Sequence, residues 1–171
     1  MTQTYTLREL VEVAPEAGAK ALRNMWWEYN DDTEYWLNED VPQSFKSFIG
    51  RIYGYGIAYD KMYRGLMIDI ERVRRGIKAY DEFLEIFNEC AVRSFFDLAK
   101  DCVTAIKMWA EKTQLTGEHT LGEVIDDFDK ACDGDGYIGG YFYGLAYDDE
   151  AMFDYADSCC RTYTIDGERA D

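Results

Sequence analysis

The sequence predicts an α+β fold: a single domain in which a small antiparallel β-sheet packs against several helices. Three observations carry that expectation. Apolar residues recur at helical spacing through most of the chain. Two aromatic, glycine-rich stretches break that period in the way strands do. Hydrophobic residues make up 47% of the 171 positions, enough to bury a core and too many for a disordered chain. Two prolines and fourteen glycines exclude a collagenous or low-complexity sequence.

The first stretch, 6–50, reads as helical. Thr6-Leu7-Arg8-Glu9 fits a capping box, with Leu7, Leu10 and Val11 as the apolar face behind it. Pro15 suits the first turn of a second helix, which Ala21, Leu22, Met25 and Trp26 continue and Asn30 to Thr33 end. Val41-Pro42 opens a third, carrying Phe45, Phe48, Ile49 and Ile52 on one face. A hairpin is expected over 52–70, with strands at 52–60 and 62–70. Residues 71–132 read as helical again; Gly76 weakens the first part of the run to Lys112, which reads as two helices, and Gly117 breaks the pattern. Thr120-Leu121-Gly122-Glu123 is a second capping box. A strand is expected over 137–147, then an acidic helix and a frayed tail over 148–171. Residues Tyr53 to Asp60 and Tyr141 to Asp148 share six of eight identities, so both are placed in the same sheet.

Charge is the most informative feature. Thirty-four acidic residues stand against eighteen basic ones, a formal charge of −16. Residues 1–50 carry −5, residues 51–114 carry +1 and residues 115–171 carry −12. That balance opposes direct binding to nucleic acid or to an anionic membrane. The acids of the last third recur at helical neighbour spacing, notably Glu150, Asp154 and Asp157, which gives a carboxylate stripe. The predicted acidic face comprises Glu123, Asp126, Asp127, Asp129, Asp133, Asp135, Asp148, Asp149, Glu150, Asp154 and Asp157. Such an array is steered onto Lys/Arg-rich clefts built for DNA or RNA. Trp26 belongs to an apolar face, whereas Trp27 and Trp36 are the candidate aromatic anchors for a partner.

No catalytic residue, metal site or cofactor is predicted. The single histidine, His119, reads as a surface loop residue beside a cap. Asp133-Gly134-Asp135-Gly136-Tyr137-Ile138 resembles the middle of an EF-hand loop, but Ala131 and Phe142 stand where its first carboxylate and its bidentate glutamate belong. It therefore reads as an acidic turn. Five cysteines without a CxxC pair read as small buried hydrophobes. Arg72, Arg74, Arg75 and Lys78 form the basic cluster, read as a salt-bridged helix face or, in a homodimer, the counterpart of the acidic third. The start lacks a basic and then apolar leader and no run is long enough to span a membrane, which points to a cytoplasmic protein.

Tyr5-Thr6-Leu7-Arg8-Glu9-Leu10, Ala19-Lys20-Ala21-Leu22 and Trp26-Trp27-Glu28 together resemble the N-terminal pattern of small phage and prophage proteins. The acidic, compact, histidine-poor composition is similar to that of anti-restriction and anti-CRISPR proteins of mobile elements. That resemblance implies a stoichiometric, non-enzymatic inhibitor that occupies the nucleic-acid cleft of a bacterial defence nuclease. The alternatives are a protein–protein adaptor or homo-oligomer whose acidity serves solubility, and a small hydrolase using clustered carboxylates.

Overall fold

A computed structural model describes the backbone of residues 3–54, 63–89 and 100–170, and the side chains of these apart from 81–89 and 100–101. The chain is mostly helical with a minimal two-stranded antiparallel sheet. In order, the elements among the described residues are α1 (Leu7–Val13), α2 (Pro15–Tyr35), a π-helical turn (Trp36–Asp40), α3 (Val41–Tyr53), β1 (Met67–Asp69), α4 (Ile70–Glu89), α5 (Lys100–Lys112), β2 (Glu118–Thr120), α6 (Leu121–Cys132), α7 (Tyr137–Leu145) and α8 (Asp149–Ser158). They group into two compact units, one of residues Met1–Tyr35 with Gly140–Asp171, the other of Trp36–Gly139. We call these the terminal and the central unit.

The terminal unit is built by α1, α2 and α8. Thr6 Oγ1 accepts from the Glu9 amide at 3.2 Å and the Glu9 carboxylate accepts from the Thr6 amide at 2.8 Å, so the box at the start of α1 is closed in both directions. Leu7, Leu10, Leu22, Met25, Met152 and Phe153 form the centre of its core. Backbone bonds between Tyr5 and Tyr163, both 2.9 Å, tie its two chain segments together. The end of α8 has a definite cause. The Arg161 amide donates to Ala156 O at 2.9 Å and the Cys160 amide to Asp157 O at 3.0 Å, a Schellman pattern. It requires a left-handed residue, and Cys160 supplies it at φ 54°. The sequence reading of all cysteines as buried holds for Cys102 and Cys132, but Cys159 is half-buried and Cys160 exposed, while Cys90 lies outside the described residues. Because only glycine takes this backbone without a Cβ penalty, Cys160→Gly is expected to stabilise the protein by about 0.5–1 kcal/mol. A higher guanidinium midpoint would register that gain, and a lower one would contradict it.

In the central unit, α3, α5 and α6 enclose an aromatic centre. Phe45 and Phe128 stack at 3.9 Å between centroids, and the buried Trp109 meets both rings edge-on at 4.9 and 6.1 Å. Thr120 and Glu123 close the box that starts α6. The sheet pairs Met67 with Thr120, Ile68 with His119 and Asp69 with Glu118.

Three expectations are corrected here. Of the hairpin expected over 52–70, the start is helical instead: Ile52 and Tyr53 end α3 and Gly54 caps it at φ 72°, while residues 55–62 lie outside the described residues. The 62–70 strand contracts to β1, whose partner is β2, about fifty residues away in sequence, rather than an adjacent strand. The strand expected over 137–147 is α7 and a turn. Its buried residues Ile138, Phe142 and Ala146 repeat every four positions, the period of a helix, which the surrounding glycines and tyrosines obscured. Gly139 is there because a Cβ would lie 2.0 Å from Asp133 O, so only glycine lets α7 turn back so tightly. With 141–145 helical, the two similar segments do not share a sheet.

Candidate functional site

Each predicted acidic residue has a definite place. On α6 of the central unit, Glu123 is spent on the cap and on His119, whose Nδ1 lies 3.2 Å from its carboxylate. His119 is a half-buried strand residue whose Nε2 sits 3.0 Å from Thr116 O, rather than a loop residue. Asp126 is paired with Arg64 at 2.9 and 3.0 Å. Asp127 is turned inward: its Oδ2 accepts from Trp109 Nε1 at 2.8 Å and from Thr113 Oγ1 at 2.7 Å. Its assignment to the acidic face is therefore corrected, since the indole needs an acceptor where it is buried. Asp129, Asp133 and Asp135 are exposed; the Asp133 amide caps α6 by donating to Asp129 O at 3.2 Å, and its backbone carbonyl accepts the Gly136 amide at 2.7 Å in the turn that follows. Among the described residues, no group of three metal-ligating side chains is assembled.

The terminal unit holds the remaining five. Asp148 caps α8 through the Glu150 amide at 3.0 Å. Glu150, Asp154 and Asp157 lie along α8 as the spacing predicts, all exposed, with Asp149 beside them. One residue the sequence reading missed organises this stripe. Arg8 grips Glu150 with two hydrogen bonds at 2.8 and 3.0 Å and lies 4.6 Å from the centroid of Phe153. No spacing rule joins positions 142 residues apart, so nothing local signalled it.

Three further ion pairs tie this unit's segments together. Lys20 meets Glu168, and Glu28 receives Arg161 with Arg169 at 3.9 Å. Tyr155 donates to Asp32, and burial together with that carboxylate pushes its hydroxyl pKa well above the ordinary tyrosine range.

Counted by unit, the charge is uneven. The terminal unit carries fifteen acidic and five basic residues, net −10, and the central unit nineteen and thirteen, net −6. The sequence placed most of the charge in the last third, whereas the fold joins that third's α8 to the acidic end of α2. Of the two candidate anchors, Trp27 is 68% exposed on α2 and Trp36 is half-buried in the π-helical turn of the central unit. The basic cluster is largely used internally. Arg72 donates to Ile52 O at 3.1 Å and covers the Tyr53 ring, Arg74 donates to Ala110 O at 3.0 Å and pairs with Glu71, and Arg75 reaches Asp69 at 3.9 Å.

The grip of Arg8 has a pH signature. Its hydrogen bonds hold the Glu150 carboxyl below the ordinary glutamate range. A carboxyl with a depressed folded pKa contributes stability that is complete above its unfolded value, about 4.3, and lost as pH falls through the folded value. Acidification also relieves repulsion among the unpaired acids, which acts oppositely. The clean measurement is therefore the difference in melting temperature between the wild type and Arg8→Met. It is expected to favour the wild type at pH 7 and to shrink steadily below about pH 4. A difference constant with pH would show that Arg8 acts only through its packing on Phe153.

The fold and these surfaces define a helix-dominated α+β protein with a strongly acidic terminal unit. No family model, curated protein or solved structure matches this chain. Among the described residues, no helix is long and apolar enough to cross a membrane.

Proposed function

We propose that the chain is a non-enzymatic acidic inhibitor that sets its terminal unit against the basic nucleic-acid-binding surface of a bacterial defence complex. It is an inhibitor of the anti-CRISPR or anti-restriction type, acting in the cytoplasm of the host. The observation that carries this reading is the charge of the terminal unit, net −10, with Asp149, Asp154 and Asp157 exposed along one helix. Asp154 and Asp157 are like-charged neighbours three apart, an arrangement that destabilises a helix by a few tenths of a kcal/mol and that a cationic surface would relieve. The resemblance to mobile-element inhibitors supplies the class of target. The hydrolase alternative is weaker, because the closely spaced α6 acids are tied to Arg64, Trp109 and Thr113. The homodimer alternative loses most of its basic half to internal contacts.

The test uses purified restriction and RNA-guided effector nucleases. Inhibition of DNA binding is expected to saturate near one chain per effector and to weaken about tenfold or more between low and physiological salt. The triple variant Asp149→Lys, Asp154→Lys, Asp157→Lys is expected to lose inhibition with its melting temperature nearly unchanged. Glu150 is left alone because reversing it would place a lysine against Arg8. Undiminished inhibition by the triple variant would refute the reading.

A further inference from the structure

We propose that the open face of α2 around Trp27 is an arginine-selective docking point. A guanidinium of the basic partner lies flat on the indole while its N–H groups pair with Asp31, and Tyr35 extends the aromatic surface. The inference rests on the reading of the partner as basic, and adds which cation the partner presents here.

Trp27 and Tyr35 are 68% and 66% exposed, and Asp31 and Glu34 beside them are exposed as well. Positions 27, 31 and 35 are each separated by slightly more than one turn, so they climb one side of α2 in steps of about 6 Å. The buried residues of that helix, Leu22, Met25 and Thr33 among them, belong to other positions of the turn. An indole this bare leaves a large apolar surface in water, and tryptophan in such a setting is the residue most often found to dominate binding. An apolar partner is disfavoured here because the exposed Asp31 lies one turn from the ring and Glu34 about two turns from it on the same side of the helix. Burying them against hydrocarbon would cost more than the ring returns. A cation satisfies both groups.

Arginine fits better than lysine. Its guanidinium is planar and weakly hydrated, stacks on an indole and still offers paired N–H donors in its own plane. The ammonium of lysine is a compact, strongly hydrated charge that loses more on leaving water. The molecule already contains the arrangement. Arg8 lies 4.6 Å from the Phe153 centroid while both its terminal nitrogens hold Glu150, ring and carboxylate being one turn apart on α8. Arg72 lies 4.3 Å from the Tyr53 centroid in the central unit. Trp27 and Asp31 likewise set a ring and a carboxylate about one turn apart, in the opposite order along the helix and with a better π-face. Among the described residues, no cation is recorded over Trp27. Arg23, one turn earlier, is the only basic residue between Lys20 and Tyr35, against Glu28, Asp31, Asp32 and Glu34.

The experiment titrates the whole chain with oligo-arginine and oligo-lysine peptides of equal length, by calorimetry at one salt concentration. Oligo-arginine is expected to bind about five- to tenfold more tightly, the scale of one partly desolvated cation–π contact. Trp27→Ala is expected to erase that preference while leaving oligo-lysine affinity unchanged, and Trp27→Tyr to restore part of it. Asp154→Lys with Asp157→Lys is expected to weaken both peptides alike and keep the preference. Equal wild-type affinities, or a preference that survives Trp27→Ala, would overturn the arginine site and leave the basic-partner reading standing. Failure of both peptides to bind would overturn the arginine site and the basic-partner reading together.

Discussion

Replacing Phe128 by alanine is expected to cost about 3–5 kcal/mol, the largest loss from any single substitution considered for this protein. The side chain is fully buried, stacked on Phe45 at 3.9 Å and meeting the edge of Trp109 at 6.1 Å. Alanine removes the ring's transfer energy and leaves a cavity whose walls are two rigid aromatics from α3 and α5, which close poorly around it. It also removes the aromatic pair terms, each about 0.5–1.5 kcal/mol beyond area. Urea unfolding followed by fluorescence reads the loss directly, because Trp109 forms the wall of the cavity. Phe128→Leu keeps most of the volume and is expected to lose less than half as much. If both variants unfold at the wild-type midpoint, the aromatic centre is not what holds the central unit together.

Asp127→Ala is the second large effect, and it separates this carboxylate from the other acids of the chain. Asp127 accepts from the buried Trp109 indole and from the buried Thr113 hydroxyl. Removing it leaves two buried donors without an acceptor and deletes charge-assisted bonds, for about 2–4 kcal/mol in all. Asp127→Asn retains one carbonyl acceptor and is expected to fall roughly midway. The informative comparison is with Asp154→Ala, which removes the same charge from an exposed position and should move the midpoint by less than about 0.5 kcal/mol. A common effect from both would mean that Asp127 matters only through net charge. Denaturant midpoints of the three variants, measured at one salt concentration, decide it.

These contrasts show which parts of the molecule a reader of the sequence could reach. The boxes at Thr6–Glu9 and Thr120–Glu123 were legible because a cap involves residues three apart and its chemistry is local. The α8 stripe was legible for the same reason, since Glu150, Asp154 and Asp157 follow the turn of a helix. Residues 137–147 misled because glycines and tyrosines are common in strands, while the four-residue repeat of Ile138, Phe142 and Ala146 was diluted by them. The partner expected for the 62–70 strand misled because adjacency in sequence is the only partner a sequence offers, and β1 pairs instead with β2 about fifty residues on.

By itself the sequence determined the helical periods, the caps and a large surplus of carboxylates, because these depend on near neighbours or on simple sums. Only the tertiary structure decided which carboxylates are spoken for. Asp127 turns in to Trp109, Asp126 meets Arg64 and Glu150 meets Arg8, while Trp27 is left bare and Trp36 half-covered. A charge is neutralised or a ring covered by groups brought from 18 to 142 positions away, and no spacing rule reaches that far.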